Sequence, residues 1–170
     1  MANLKEIRTR ISSVTSTRKI TGAMKMVSAA KFKKAQNNLL RFRPFCEEIN
    51  HLAADLIKSS VSNESAYMIE REQVRNIGVV LITSNNSMCG AFNANIIKRA
   101  LVVLNDLNRQ YPQAKVIFYP LGKTGEEFMV KNKFNVVSCN NAIIEKPSVE
   151  RTKDFFNLLN SLYLGNELDR

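Results

Sequence analysis

The residues with the clearest chemical potential are Gly122, Lys123 and Thr124, whose order matches the end of a phosphate-binding loop, where a lysine and a hydroxyl grip phosphates and magnesium. That motif also needs a glycine five residues before Gly122, where backbone amides curl around the phosphates, and the position is Ile117, inside an expected strand. The triplet therefore reads as a strand-to-helix turn. No Gly-x-Gly-x-x-Gly follows the first expected strand, which removes the dinucleotide fingerprint as well. His51 is the sole histidine, so a His-His metal pair cannot form. Cys46, Cys89 and Cys139 are far apart and make no Cys-x-x-Cys pair, which fits neither a disulfide framework nor a zinc site and points to a reducing compartment. Ser87 has no base candidate nearby and no Gly-x-Ser-x-Gly elbow around it. Cys89 stands at the expected start of a helix, where a dipole can activate a thiol, but the plainer reading is a small packing residue in a turn. Glu126 and Glu127 are adjacent, point to different sides of a helix and read as a solvated first turn. The expectation is a chain with no catalytic residues, no metal and no cofactor.

The elements that position these residues divide the 170-residue chain in two. Leu4, Ile7, Ile11 and Val14 follow the alternating three-four spacing of a coiled-coil seam. The same register continues through Phe32, Ala35, Leu39, Phe42, Cys46, Ile49, Ala53 and Leu56, and is interrupted at Arg18, Thr21, Lys25 and Ser28. Over that interruption Ile20, Ala23, Met24, Val27 and Ala30 occupy a rotated face, so one partner does not serve the whole length. The spacing predicts a helix over 1–58, a rod of about 80 Å at 1.5 Å per residue, with a bend or local break near Leu40–Arg43 imposed by Pro44. Two shorter helices folded back around Pro44 are the alternative. A linker is expected at 59–75. Beyond it, strands at Asn76–Ser84, Lys115–Tyr119 and Phe134–Ser138 alternate with helices at Ala91–Gln110, Lys123–Lys131 and Ser148–Leu164, the last ended by Gly165. This alternation defines an α/β fold class: a long N-terminal helix, half of a coiled coil, followed by an incomplete three-layer parallel-sheet α/β domain at 76–170.

Charge separates the two parts further. Residues 1–50 hold eleven bases against three acids and so carry +8 of the net +10. Nucleic acid, an anionic membrane and an acidic protein surface all answer to such a field, and charge alone does not choose between them. The longest apolar stretch, Ile77–Ile82, is far short of the ~20 residues of a membrane span. The Arg/Ser-rich N-terminus is similar in composition to an organelle transit peptide, but its orderly apolar spacing favours a structural helix.

Two long runs make the reading specific. Leu4 to Gln36, LKEIRTRISSVTSTRKITGAMKMVSAAKFKKAQ, resembles the N-terminal shaft of the ATP synthase gamma subunit family almost position for position. Ile82 to Lys98, ITSNNSMCGAFNANIIK, resembles that family's strand-loop-helix signature around Thr-Ser-Asp-Arg-Gly-Leu-Cys-Gly, here carried by Thr83, Ser84, Cys89, Gly90, Phe92 and Asn93. The resemblance implies a central-stalk rotor subunit that supplies no reacting group and couples proton translocation to ATP synthesis or hydrolysis in other subunits. It implies as partners the alpha/beta catalytic hexamer, the epsilon subunit and the membrane c-ring, with no nucleic acid, and a peripheral location on the cytoplasmic face of a bacterial plasma membrane. By analogy Arg8, Arg10, Arg18, Lys19, Met24, Lys25, Lys31, Lys33 and Lys34 face acidic loops of the catalytic subunits. The chain departs from the family at Asn85, Asn86 and Ser87, where Asp-Arg-Gly is usual. Asparagine tolerates left-handed backbone, so the turn is expected to survive. The chain also stops where the family continues toward a C-terminal helix, so the expectation is a fragment, or self-association through the first helix. The alternative from a different class is a basic helical module binding nucleic acid, which would lose affinity steeply with salt.

Overall fold

A computed structural model describes residues 3–58, 66–67, 71–139 and 141–170, which fall into two units, 1–65 and 66–170. The first is helix α1, Leu4–Lys58. Asn3 caps it: the amides of Glu6 and Ile7 donate to its carbonyl and that of Lys5 to its side chain. Of the bend or local break expected near Leu40–Arg43, the break does not occur: the helix runs unbroken through Pro44. Proline removes one amide donor, and on an exposed helix water can satisfy the carbonyl left over. Ion pairs Glu6–Arg10 and Arg43–Glu47, each 2.9 Å and one turn apart, add about 0.3–0.5 kcal/mol apiece at such exposed sites. The helix contains no buried residue, and its hydrophobic edge is bare. Leu4 is 67% exposed, Ile11 60% and Phe32 68%.

In the second unit, strands β1 (Asn76–Ile82) and β2 (Lys115–Leu121) pair in parallel, in register from Asn76 opposite Lys115 to Ile82 opposite Leu121. A parallel pair needs a crossover, here α2, Phe92–Gln110. Helices α3 (Lys123–Lys131), α4 (Ala142–Glu145) and α5 (Val149–Leu164) follow. Leu81, Ala100, Phe118 and Met129 form the core, with Val79, Ile96, Leu104, Val116, Phe128, Phe134 and Val136 packed around it. Alternate residues of β1 point the other way. There Gly78 lies against Leu168, and a Cβ at Gly78 would stand 3.1 Å from its Cδ1.

The third expected strand needs correction. The third strand, Phe134–Ser138, is a single parallel bridge between Val136 and Phe118. Lys133, at φ 59°, turns the chain before it, and the backbone pairing is confined to the bonds from the Phe118 amide to Asn135 and from the Val137 amide to Phe118. Gly165 ends α5 as expected, with φ −75°, and the left-handed residue Asn166 (φ 61°) follows it. The start of α5 is as the sequence suggests: Ser148 is extended and its hydroxyl accepts the Arg151 amide. The expected linker lies outside the described residues at 59–65 and 68–70. Tyr67, in the same stretch, stacks on Tyr163 with ring centres 6.0 Å apart.

Candidate functional site

The sequence singles out two sets of residues, and each has a distinct environment. On α1, Arg8, Arg18, Lys19, Met24, Lys25, Lys31, Lys33 and Lys34 are all exposed, as is Arg10, which pairs with Glu6. The seam residues Leu4, Ile7, Ile11, Val14, Phe32, Ala35, Leu39, Phe42, Ile49 and Leu56 are exposed too. Phe42 and Phe45 touch ring to ring at 5.7 Å on the same helix. Because 3.6 residues per turn do not divide seven evenly, a heptad seam drifts about 20° per heptad on a straight helix. Four heptads separate Leu4 from Phe32, so the upper and lower seams face directions roughly 80° apart unless a partner winds left-handed around the rod. His51 is exposed on this helix.

The second set is a polar knot at the ends of the strands. Thr83, 2% exposed, donates its hydroxyl proton to the Gly122 carbonyl at 3.2 Å and accepts the Gly125 amide at 3.0 Å. Gly122 adopts φ +115°, and a Cβ there would lie 2.2 Å from the Thr83 carbonyl oxygen. Inside the loop, Asn93 is buried in the first turn of α2, where its side-chain oxygen accepts the Ser84 amide at 3.0 Å and its amide donates to the Asn86 carbonyl at 3.1 Å. Cys89 is half-buried, its thiol directed at the carbonyls of Asn86 and Ser87. Its own carbonyl, rather than its sulfur, receives the Phe92 amide that opens α2, so it acts as the small residue of a turn. Gly90 (φ 58°) is the left-handed residue of this loop, whereas Asn85 and Asn86 keep negative φ. Phe92 is 53% exposed.

Asn85, expected to matter through its backbone, matters through its side chain. Its oxygen accepts the Lys123 amide at 2.9 Å, while its nitrogen donates to the Asn141 carbonyl and to Glu145. Asn141 in turn accepts the Gly122 amide at 2.7 Å and donates to Glu126. Glu126 is thus a structural acceptor rather than a solvated residue. Sequence reasoning missed Asn141, Gly125 and this role of Glu126, since no periodicity signals contacts made between separate loops.

The knot also bears on the phosphate-loop resemblance. A helix N-terminus binds anions through unpaired amides. At the start of α3 the amides of Gly122, Lys123 and Gly125 are already engaged by Asn141, Asn85 and Thr83. Cys139 lies across from this turn, where burial foremost and the Glu126 carboxylate second push its thiol pKa up. A thiol held protonated is a poor nucleophile. No three His, Cys, Asp or Glu side chains gather at a metal-binding distance among the described residues, and none of their helices is long and apolar enough to cross a membrane.

The described residues give an exposed basic helix with an exposed hydrophobic edge, followed in the chain by an α/β unit whose polar cluster is engaged in internal bonds. The chain's relatives make this specific. A profile for the family described as ATP synthase matches residues 3–170. The ATP synthase gamma chain of Bacteroides fragilis is 38% identical over 170 residues, covering all of this chain and 58% of the relative. Those of Chloroherpeton thalassium and Nitrosomonas eutropha are 37% and 32% identical, again over the whole chain and over 56% and 57% of their own lengths. The chain belongs to the ATP synthase gamma-chain family, and it spans just under three fifths of the length of these relatives.

Proposed function

We propose that the chain acts as the central-stalk rotor subunit of an F-type ATP synthase, carrying rotation between a proton-driven membrane ring and the ATP-handling sites of an alpha/beta hexamer. The observation that carries this is α1: 55 residues of continuous helix, strongly basic, burying none of its hydrophobic edge. Such an element gains little stability from its own packing and is suited to being enclosed by other subunits. In this reading the bases from Arg8 to Lys34, with Met24 among them, face acidic loops of the catalytic subunits. The polar interruption at Arg18, Thr21, Lys25 and Ser28 avoids locking the rod in one orientation. The α/β unit lies toward the epsilon subunit and the c-ring, and the whole is peripheral on the cytoplasmic face of a bacterial plasma membrane. The chain contributes no reacting group.

The test is charge reversal in a complete enzyme. Lys19→Glu combined with Lys25→Glu should lower ATP-driven proton pumping while leaving nucleotide binding to the catalytic subunits intact. Pumping unchanged from the parent would remove the basic face from the mechanism.

A further inference from the structure

In a parallel ladder the backbone groups of successive residues point to opposite sides of the strand. The odd-numbered positions of β1 and its flanks face β2: the Arg75 carbonyl accepts the Lys115 amide, and the Thr83 amide donates to the Leu121 carbonyl. Asn76, Gly78, Val80 and Ile82 therefore face the other edge of β1. The first part of that edge is occupied. The Asp169 amide donates to the Asn76 carbonyl at 2.9 Å, and the Gly78 amide donates to the Arg170 carbonyl at 2.7 Å, so the last residues run parallel to β1. Beyond Gly78 the edge is open: among the described residues no backbone bond crosses it from Val80 or Ile82.

The side chains at the open part are bare as well, with Val80 40% and Ile82 56% exposed. Beside Val80 lies a cavity of about 160 Å³, almost wholly apolar and lined by Gly78, Val80, Leu159, Tyr163, Leu168 and Arg170. An open strand edge next to a side-chain pocket is the arrangement that takes an added strand, with backbone bonds holding it and the pocket selecting one side chain. A second copy fits poorly. Edge-to-edge pairing centred on Val80 would run antiparallel and bring the Ile82 of that copy beside Gly78, whose amide Arg170 already holds. A strand running in the direction set by Asp169 and Arg170 meets no such obstacle. The family offers a source for it, since this chain covers 58% of the Bacteroides fragilis gamma chain. We propose that the β1 edge from Gly78 to Ile82 seats one further parallel strand, with an aliphatic side chain for the cavity, contributed by gamma-chain polypeptide beyond the matched stretch. This rests on membership of the family and is independent of the rotor reading.

The probe is the portion of the Bacteroides fragilis gamma chain beyond the matched stretch, added as a separate polypeptide to the full 170-residue chain. Hydrogen exchange at the Val80 and Ile82 amides should slow by roughly tenfold or more, and by more than at Val79 and Leu81, whose amides already face β2. If the added portion does not stay in solution by itself, it is joined after Arg170 and the same amides are read. Val80→Pro removes an amide that bonds nothing in the β1–β2 ladder, so the variant should keep its fold by tyrosine emission and lose the protection gained at Ile82. Val80→Lys, which places a charge on the edge, serves if the proline variant does not fold. Equal exchange at Val80 and Ile82 with and without the added portion overturns the proposal, as does protection at Ile82 undiminished in the variant. Protection in the chain alone that grows with its concentration also overturns it, by giving the edge to a second copy.

Discussion

Replacing Gly122 by alanine tests the polar knot at its tightest point. The new methyl would stand 2.2 Å from the Thr83 carbonyl oxygen and 2.7 Å from its carbon, both backbone atoms that no rotamer change can clear. The residue would also have to hold φ +115° and ψ 129°, a region nearly closed to side chains with a Cβ, at a cost of about 1–3 kcal/mol. If the turn moves to relieve the clash, the bonds from Gly122 to Asn141 and from Thr83 to Gly122 are strained or lost, each worth about 1 kcal/mol. Together these give roughly 3–5 kcal/mol, a large share of the ~5–15 kcal/mol typical of a domain. The chain supplies its own reporter: it has no tryptophan, and all four tyrosines, Tyr67, Tyr111, Tyr119 and Tyr163, lie in the α/β unit. Tyrosine emission in a urea titration of the full chain follows that unit alone, while much of the helical circular dichroism comes from α1. The tyrosine midpoint of Gly122→Ala should fall by on the order of 2 M urea. A shift below about 0.5 M urea would refute the claim that this glycine is sterically required.

Thr83→Val keeps the shape of the side chain but strands the buried Gly125 amide, while the Gly122 carbonyl keeps its bond from the Glu126 amide; it should cost about 1–3 kcal/mol on the same tyrosine transition. Gly22→Ala has nothing within 4 Å of the new methyl and should stabilise α1 by up to about 1 kcal/mol, read as increased dichroism at the helical band with the tyrosine midpoint unmoved. Burial acts to raise the pKa of Asp169, but the amides of Asn76 and Arg75 and the Arg71 guanidinium outweigh it and hold the carboxyl below its ordinary value. Its stabilisation is therefore complete above the unfolded-state pKa of about 4 and is lost as pH falls through the lower folded value. Asp169→Asn should accordingly be less stable than the parent at neutral pH and flatten the acid limb of an unfolding profile followed by tyrosine emission.

Much of the architecture was legible along the chain because it depends on local periodicity. The three-four spacing from Leu4 to Val14 and from Phe32 to Leu56 marks a helix whatever surrounds it, and that helix runs from Leu4 to Lys58. Ser148 announced the start of α5, and the β-branched run after Asn76 announced β1. The two sequence runs that suggested the family lie within the 3–170 match.

Other features depended on residues distant in sequence. Pro44 favoured a break by local rule, yet one missing donor is a small loss for an exposed helix otherwise hydrogen-bonded on both sides. Phe134–Ser138 had the composition of a strand, but its backbone pairs with β2 only around Phe118, and how far a ladder extends is settled by the partner strand rather than by local composition. The knot joining Thr83, Asn85, Gly122, Glu126 and Asn141 spans separations of 15 to 56 residues, and so does not register in any local pattern. Sequence alone determined the long helices, the first two strands and where the positive charge lies, because those follow from neighbours along the chain. Only the tertiary structure decided which polar groups meet, since a hydrogen bond depends on position in space and is indifferent to the length of chain between its partners.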